Sequence, residues 1–159
     1  MKTIVATLLY VVQDNKILLA RKKKGWREGI YNGVGGKSDP GETVDQTMIR
    51  ETEEEIGITP TKYEKVAIKQ FTTFFKGEWT NWVVHSYFAY EYTGTIAESD
   101  EMAPEWFDFD KIPYDGMWDD DKYWLPKVLA GEKVIGYFEF DKDNIVVSHS
   151  IKIVSGFDN

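Results

Sequence analysis

Two apolar runs separated by a polar turn open the chain. "TIVATLLYVV" and "KILLARK" are rich in β-branched residues and leucine, and the "QDN" between them supplies turn formers, so a hairpin is predicted. "GWREGIYNGVGGKSDPGE" breaks the pattern, because turn formers punctuate it too often for regular structure throughout. From Thr43 the spacing becomes helical: Thr43 and Gln46 stand at capping-box distance, and Gly57 sits where a C-terminal cap belongs. "YEKVAIKQFTTFF" and "TNWVVHSYFAYEY" then predict two strands joined at "KGEW", and "EWFDFDKIP" a short strand with a turn. "DDDKYWLPKVLAG" reads as a second helix in which Pro126 imposes a kink or marks a late start. "KVIGYFEFDKDNIVVSHSIKIV" closes the chain as a hairpin turned at "DKDN". Strands outnumber helices, so the expected fold is of the α/β (α+β) class, a mixed β-sheet covered by two or three helices. With no repeat, low-complexity tract or linker, residues 1–159 are expected to form one domain.

Composition narrows the partners. A net charge of −8 disfavours nucleic-acid polymers and anionic membranes, but leaves open a small anion that arrives with its own metal ion. Without cysteine there is no thiolate nucleophile and no sulfur metal site. The apolar N-terminal run is too short to span a membrane and lacks a small-x-small cleavage site, which points to a strand in a cytoplasmic protein. Six tryptophans and nine tyrosines exceed what a core alone needs, so some are expected to line a cleft.

The densest candidate chemistry is "RETEEEIG", residues 50–57, with four glutamates and one arginine. Such runs are most often solvated helix faces. On a wheel of about 100° per residue that starts at Val44, the apolar Met48, Ile56 and Ile49 fall between roughly 40° and 140°. Glu53 at roughly 180° and Arg50 at roughly 240° point to solvent, but Glu55 falls at roughly 20°, on the side that should be buried. Glu51 at roughly 340° and Glu54 at roughly 280° continue along the same edge. Converging carboxylates repel one another and are costly to bury, so either the helix is distorted or a cation joins them. An all-oxygen donor set of this size suits Mg²⁺ or Mn²⁺.

The segment "GKSDPGETVDQTMIRETEEEIGI", Gly36 to Ile58, reads G-x5-E-x7-R-E-x-x-E-E-x-G-hydrophobic and resembles the signature box of the Nudix family. Thr52 departs from it, standing where an aliphatic residue is usual, and should soften packing behind the helix. The resemblance implies an α/β/α sandwich that hydrolyses nucleoside diphosphates linked to another group. By position it makes Glu51, Glu54 and Glu55 metal ligands, aided by the Gly36 carbonyl, and makes Glu42 and Arg50 a structural pair holding the loop on the helix.

Outside the box, "YNGVGGK", "ESDEMAPEWF", "MWDDDKYWLP" and "GYFEF" resemble the members of that family that act on oxidised purine nucleoside triphosphates, over about Thr7 to Phe140. The resemblance implies that Thr7 contacts the substrate, Asn32 hydrogen-bonds the base, Trp118 stacks on it, Trp26 forms the facing wall, and Asp120 and Asp121 read its edge. Lys22 would lie near the phosphates and Glu101 would be an added acid at the metals. One carboxyl of an adjacent pair in an apolar pocket should stay protonated, and moving the proton would let the pair accept more than one oxidised purine. The implied reaction is Mg²⁺-dependent conversion of 8-oxo-dGTP or 2-hydroxy-dATP to the monophosphate and pyrophosphate by a monomer. A Nudix hydrolase of a dinucleoside polyphosphate or nucleotide sugar, and a non-catalytic nucleotide sensor, are the alternatives. His85 and His149 stand alone and are expected to be structural or exposed.

Overall fold

A computed structural model describes residues 1–157, so the last two positions of the expected domain lie outside it. The chain runs β1 (Lys2–Gln13), β2 (Lys16–Lys22), β3 (Tyr31–Asn32), α1 (Val44–Ile56), β4 (Ile58–Phe75) and β5 (Glu78–Gly94). It continues through β6 (Met102–Asp108), two short 3-10 turns, α2 (Asp121–Leu129), β7 (Lys133–Phe140) and β8 (Val146–Val154). The strands form one mixed sheet in the order β3-β2-β1-β5-β4-β7-β8, with β6 also paired to β2. Among the described residues no helix is long and apolar enough to cross a membrane.

Alternation along the strands divides the core into two layers. Leu9, Val11, Leu18 and Ala20 pack on the face that carries Met48 and Ile56 of α1. Their neighbours Tyr10, Ile17 and Leu19 pack on the other face with Trp124, Leu125 and Val128 of α2. A period of two therefore gives each strand two apolar faces, and one helix covers each.

The predicted opening hairpin is shorter than its strands. β1 and β2 are in register only at Val12–Ile17 and Gln13–Lys16. Further back, β1 runs parallel to β5 along one side. On its other side the glycine-rich loop takes the place of β2: Leu9 and Val34 exchange both backbone hydrogen bonds, at 2.7 and 3.0 Å, and the Thr7 amide donates to the Gly36 carbonyl at 2.9 Å. β2 meanwhile pairs with β6 from Lys16–Asp108 to Lys22–Met102. The two strands part, and the loop that enters between them carries the start of the box.

α1 is bounded as the sequence predicts. Thr43 caps it in a complete capping box with Gln46, and Gly57 closes it in the left-handed region at φ 76°. Thr52 is fully buried, and its hydroxyl donates to the Met48 carbonyl at 2.7 Å, so the polar atom is satisfied within the helix. α2 begins at Asp121, before Pro126, which rules out the late start. The ring removes the donor that the exposed Lys122 carbonyl would have used four residues on.

Candidate functional site

A cleft of about 720 Å³ opens between the glycine-rich loop, β4 and the start of α2. Of the residues singled out in the sequence, Thr7, Lys22, Trp26 and Asn32 line it from the N-terminal half. Trp118, Asp120 and Asp121 line it from the C-terminal half, and Gly36, Glu55 and Glu101 complete the set. Glu51 and Glu54 do not line it; they stand beside it on α1, with Glu54 the more exposed.

At the box end, Arg50 is the hub. Its guanidinium donates to Glu42 at 2.7 and 2.9 Å, to Glu51 at 2.8 Å, to Glu54 at 3.3 Å and to the Lys37 carbonyl at 3.2 Å. The wheel position of Arg50 is the outer side of α1, and the loop folds over to meet it there. Those hydrogen bonds hold the Glu42 carboxyl down to about 2, with help from the Asp39 amide. The loop lies so close to α1 that a side-chain carbon added at Gly36 would sit 2.5 Å from the Glu51 carboxyl carbon. Any larger residue at Gly36 would have to push that carboxylate aside.

Glu55 is buried, as the wheel predicts for it alone among the four glutamates of the run. Its one hydrogen bond comes from the Gly35 amide at 3.1 Å. Burial, then the charge of Glu51, pushes its carboxyl up to about 8, against the opposing pull of that amide. Burial also raises Glu51, partly offset by Arg50. Among the described residues no three acids are already gathered tightly enough to grip an ion. The composition of the end nevertheless fits a divalent cation: oxygen donors only, a buried carboxyl short of compensation, and a backbone carbonyl at Gly36 with a lone pair to spare beyond its bond to Thr7.

At the opposite end, Asp120 and Asp121 occupy the N-terminus of α2 yet do not cap it. Both are buried, and both accept from the Trp124 indole, at 3.1 and 3.0 Å. Burial and the charge of Asp120 push Asp121 well above the usual carboxylate range. Asp120 is raised by burial and drawn back by Lys69, whose ammonium lies 3.9 Å away. Burial thus favours the protonated form at both carboxyls, and only Asp120 has the ammonium within salt-bridge distance.

Lys69 was missed in the sequence. It is 1% exposed, lines the cleft floor, and holds its ammonium 3.9 Å above the Trp124 ring. The signal was alternation: Lys69 shares a strand face with Phe71, Thr73 and Phe75, all of which line the cleft. Lys37 was missed too; it packs over Phe75 at 5.1 Å, where burial and then the charge of Lys76 lower its affinity for its proton.

The aromatic wall differs from expectation. Trp26 meets Trp118 edge to face at 5.1 Å instead of facing it across a gap, and also abuts Phe75 at 4.6 Å. Contact that close leaves no room for a flat ring between the two indoles. The Arg27 guanidinium covers Trp118 at 4.5 Å. Asn32 is oriented by its neighbours: its amide oxygen accepts from the Gly33 amide at 2.9 Å and from the Tyr10 hydroxyl at 3.3 Å, which turns its NH₂ elsewhere. Neither histidine lines the cleft. His85 is partly buried, with burial holding it down to about 4, and the exposed His149 stacks on Tyr123 at 4.1 Å.

A mixed sheet between two helices, with a capped glutamate helix at one end of a deep cleft, is the architecture of a hydrolase family whose profile the chain matches. The chain belongs to the Nudix family, the NUDIX domain matching residues 2–128. It is 43% identical over 145 residues to the oxidized purine nucleoside triphosphate hydrolase of Danio rerio, covering 91% of this chain and 92% of that one. It is 38% identical over 151 residues to the protein of the same name from Mus musculus, covering 95% and 96%. Its fold superposes on the crystal structure of a MutT mutator protein from Bacillus halodurans with a TM-score of 0.82 at 28% identity, covering 94% of this chain and 97% of the other.

Proposed function

We propose that the protein hydrolyses oxidised purine nucleoside triphosphates, 8-oxo-dGTP and 2-hydroxy-dATP among them, to the monophosphate and pyrophosphate, and so cleanses the nucleotide pool. The observation that carries this reading is one cleft with a carboxylate helix at one end and a buried acid pair at the other. Acids in two groups, one on α1 and one at the start of α2, suit a nucleotide whose phosphates and base are recognised apart. The names of the Danio rerio and Mus musculus relatives point to the same substrates.

Glu51, Glu54, Glu55 and Glu101, with the Gly36 carbonyl, would hold Mg²⁺ or, in its place, Mn²⁺. When bound, the cation supplies charge neutralisation and polarisation of the phosphate chain. Lys22 and Lys37 line the cleft beside the box, where burial has already weakened their hold on their protons, and their ammonium groups are offered to the phosphates. A carboxylate of the box takes the proton of the attacking water. Arg50 acts through position, keeping the loop and the Gly36 carbonyl against α1.

At the other end Trp118 stacks on the base, and Asn32, Asp120 and Asp121 hydrogen-bond its edge. A base of the wrong pattern would leave these buried groups unpaired, which is the strongest form of discrimination a pocket can offer. We take the acting species to be a monomer in the cytoplasm with free nucleotide as its partner. The test is pyrophosphate release with Mg²⁺ from 8-oxo-dGTP, 2-hydroxy-dATP, dGTP and dATP side by side. A kcat/KM for an oxidised purine well above those of the normal nucleotides is expected; equal values overturn the reading.

A further inference from the structure

The floor of the cleft carries more polar groups than its own hydrogen bonds consume. Among the described residues, the Thr7 hydroxyl and one carboxylate oxygen of Asp121 are buried without a partner. The Lys69 ammonium, almost wholly removed from bulk water, comes no closer to a carboxylate of the described residues than its 3.9 Å approach to Asp120. A buried lysine with three donors and no close acceptor is costly unless something completes it. The groups around it are Asp120 and Asp121 from the start of α2 and the Trp124 ring beneath it. Those elements bring no carboxylate closer than Asp120, and the open side is the cleft.

We propose that Lys69 sets base selectivity: its ammonium donates to a carbonyl oxygen of the bound base and, by holding Asp120 as a fixed acceptor, makes the pocket favour one of the two oxidised purines over the other. The inference rests on the proposed function and deepens it. 8-Oxoguanine carries a carbonyl at C6 and an amine at C2; 2-hydroxyadenine in its keto form carries the same two groups exchanged. An acid pair free to move its proton between two carboxyls can present either complementary pattern. A cation at one end of the pair removes that freedom, because the carboxyl beside it stays ionised and the proton stays on the other. An amine brought against the ammonium would set donor against donor. Of the two bases, only the one that turns its carbonyl toward Lys69 keeps every buried group paired.

The experiment is kcat/KM for 8-oxo-dGTP and 2-hydroxy-dATP on the intact protein and on Lys69→Met, which replaces the cation by an apolar chain of similar length. The native protein should prefer one of the two by at least about tenfold, and the variant should bring the ratio to within about threefold of unity. A native ratio near unity, or a native preference that survives in the variant, overturns the inference. Because loss of the cation strands two buried acids and could cost the fold, a second measurement uses the native protein alone. Its ¹⁵N-labelled lysine ammonium signals are followed while the two oxidised monophosphates are added. A signal assigned to Lys69 should shift and exchange more slowly with the preferred monophosphate only; an unchanged signal with both sinks the idea. If the normal nucleotides are cleaved as well as the oxidised ones, the functional reading itself fails and this inference falls with it, an outcome distinct from two oxidised purines being accepted equally.

Discussion

The two ends of the cleft each bury acid in a protein interior, and they deal with it differently. At the α2 end the protein supplies its own cation: Lys69 stands 3.9 Å from Asp120, and both are almost fully buried. At the α1 end Arg50 is partly exposed and committed to Glu42, Glu51 and Glu54, and the charge of Lys22 only partly offsets the burial of Glu55. Glu55, the most buried acid there, is left with one backbone amide. An end that carries its own counter-charge has a fixed hydrogen-bonding pattern and suits recognition. An end with an uncompensated carboxyl is poised to take up a charge from solution, as a metal site must be.

The largest break in this contrast should come from Glu54→Gln. At an exposed position the change leaves the fold and Tm as they are, while pyrophosphate release falls by about 10²–10⁴-fold if the residue serves metal-assisted chemistry. Turnover within a factor of two of native would remove Glu54 from the site. At the recognition end, Trp118→Ala should raise KM about tenfold or more and change kcat less, since base stacking on an aromatic ring is worth about 1–3 kcal/mol. Steady-state kinetics on the preferred nucleotide separate the two parameters, and a loss confined to kcat would contradict a stacking role.

A subtler test uses pH. The Glu55 carboxyl is raised to about 8 in the folded, metal-free protein, so the folded state holds its proton more tightly than the unfolded chain does. Its contribution to stability is complete below the ordinary value of 4.5 and is lost as pH rises through about 8. Thermal unfolding of the metal-free protein between pH 5 and 8 should therefore decline more steeply for the native chain than for Glu55→Gln. Mg²⁺ should raise the native Tm most at the alkaline end, because binding must displace that proton. Parallel declines would show that Glu55 is not the uncompensated group. The smallest effect expected is that of Thr43→Ala, which removes the capping hydroxyl from α1: about 1 kcal/mol of stability, read by urea unfolding, with kcat unaffected.

Much of this contrast was legible in the chain, though unevenly. The box helix could be read almost whole, because caps, apolar stripe and acids all sit within one element whose period fixes their directions. The wheel placed Glu55 inside and Glu53 outside, and both are so. Arg50 is harder: the wheel gives it to solvent, its pairing with Glu42 comes from the resemblance and not from the periodicity, and the loop folding over α1 brings the two together. The spacing of Asp120 and Asp121 marks them as a pair, but nothing in that stretch shows that Lys69 stands beside one of them. Trp26 lies in the cleft but meets Trp118 edge to face, a contact that spacing along the chain does not reveal.

Spacing along the chain is enough for the local elements, the box and the side of the helix on which its charges lie, because a helix or strand period of a few residues converts spacing directly into facing. Tertiary structure alone decided which distant elements meet. β4 brings Lys69 beside Asp120, far along the chain, and the glycine-rich loop displaces β2 from most of β1. Whether a buried charge is compensated depends on neighbours within a few ångströms, and those neighbours are chosen by sheet order and register, which no short stretch of the chain encodes.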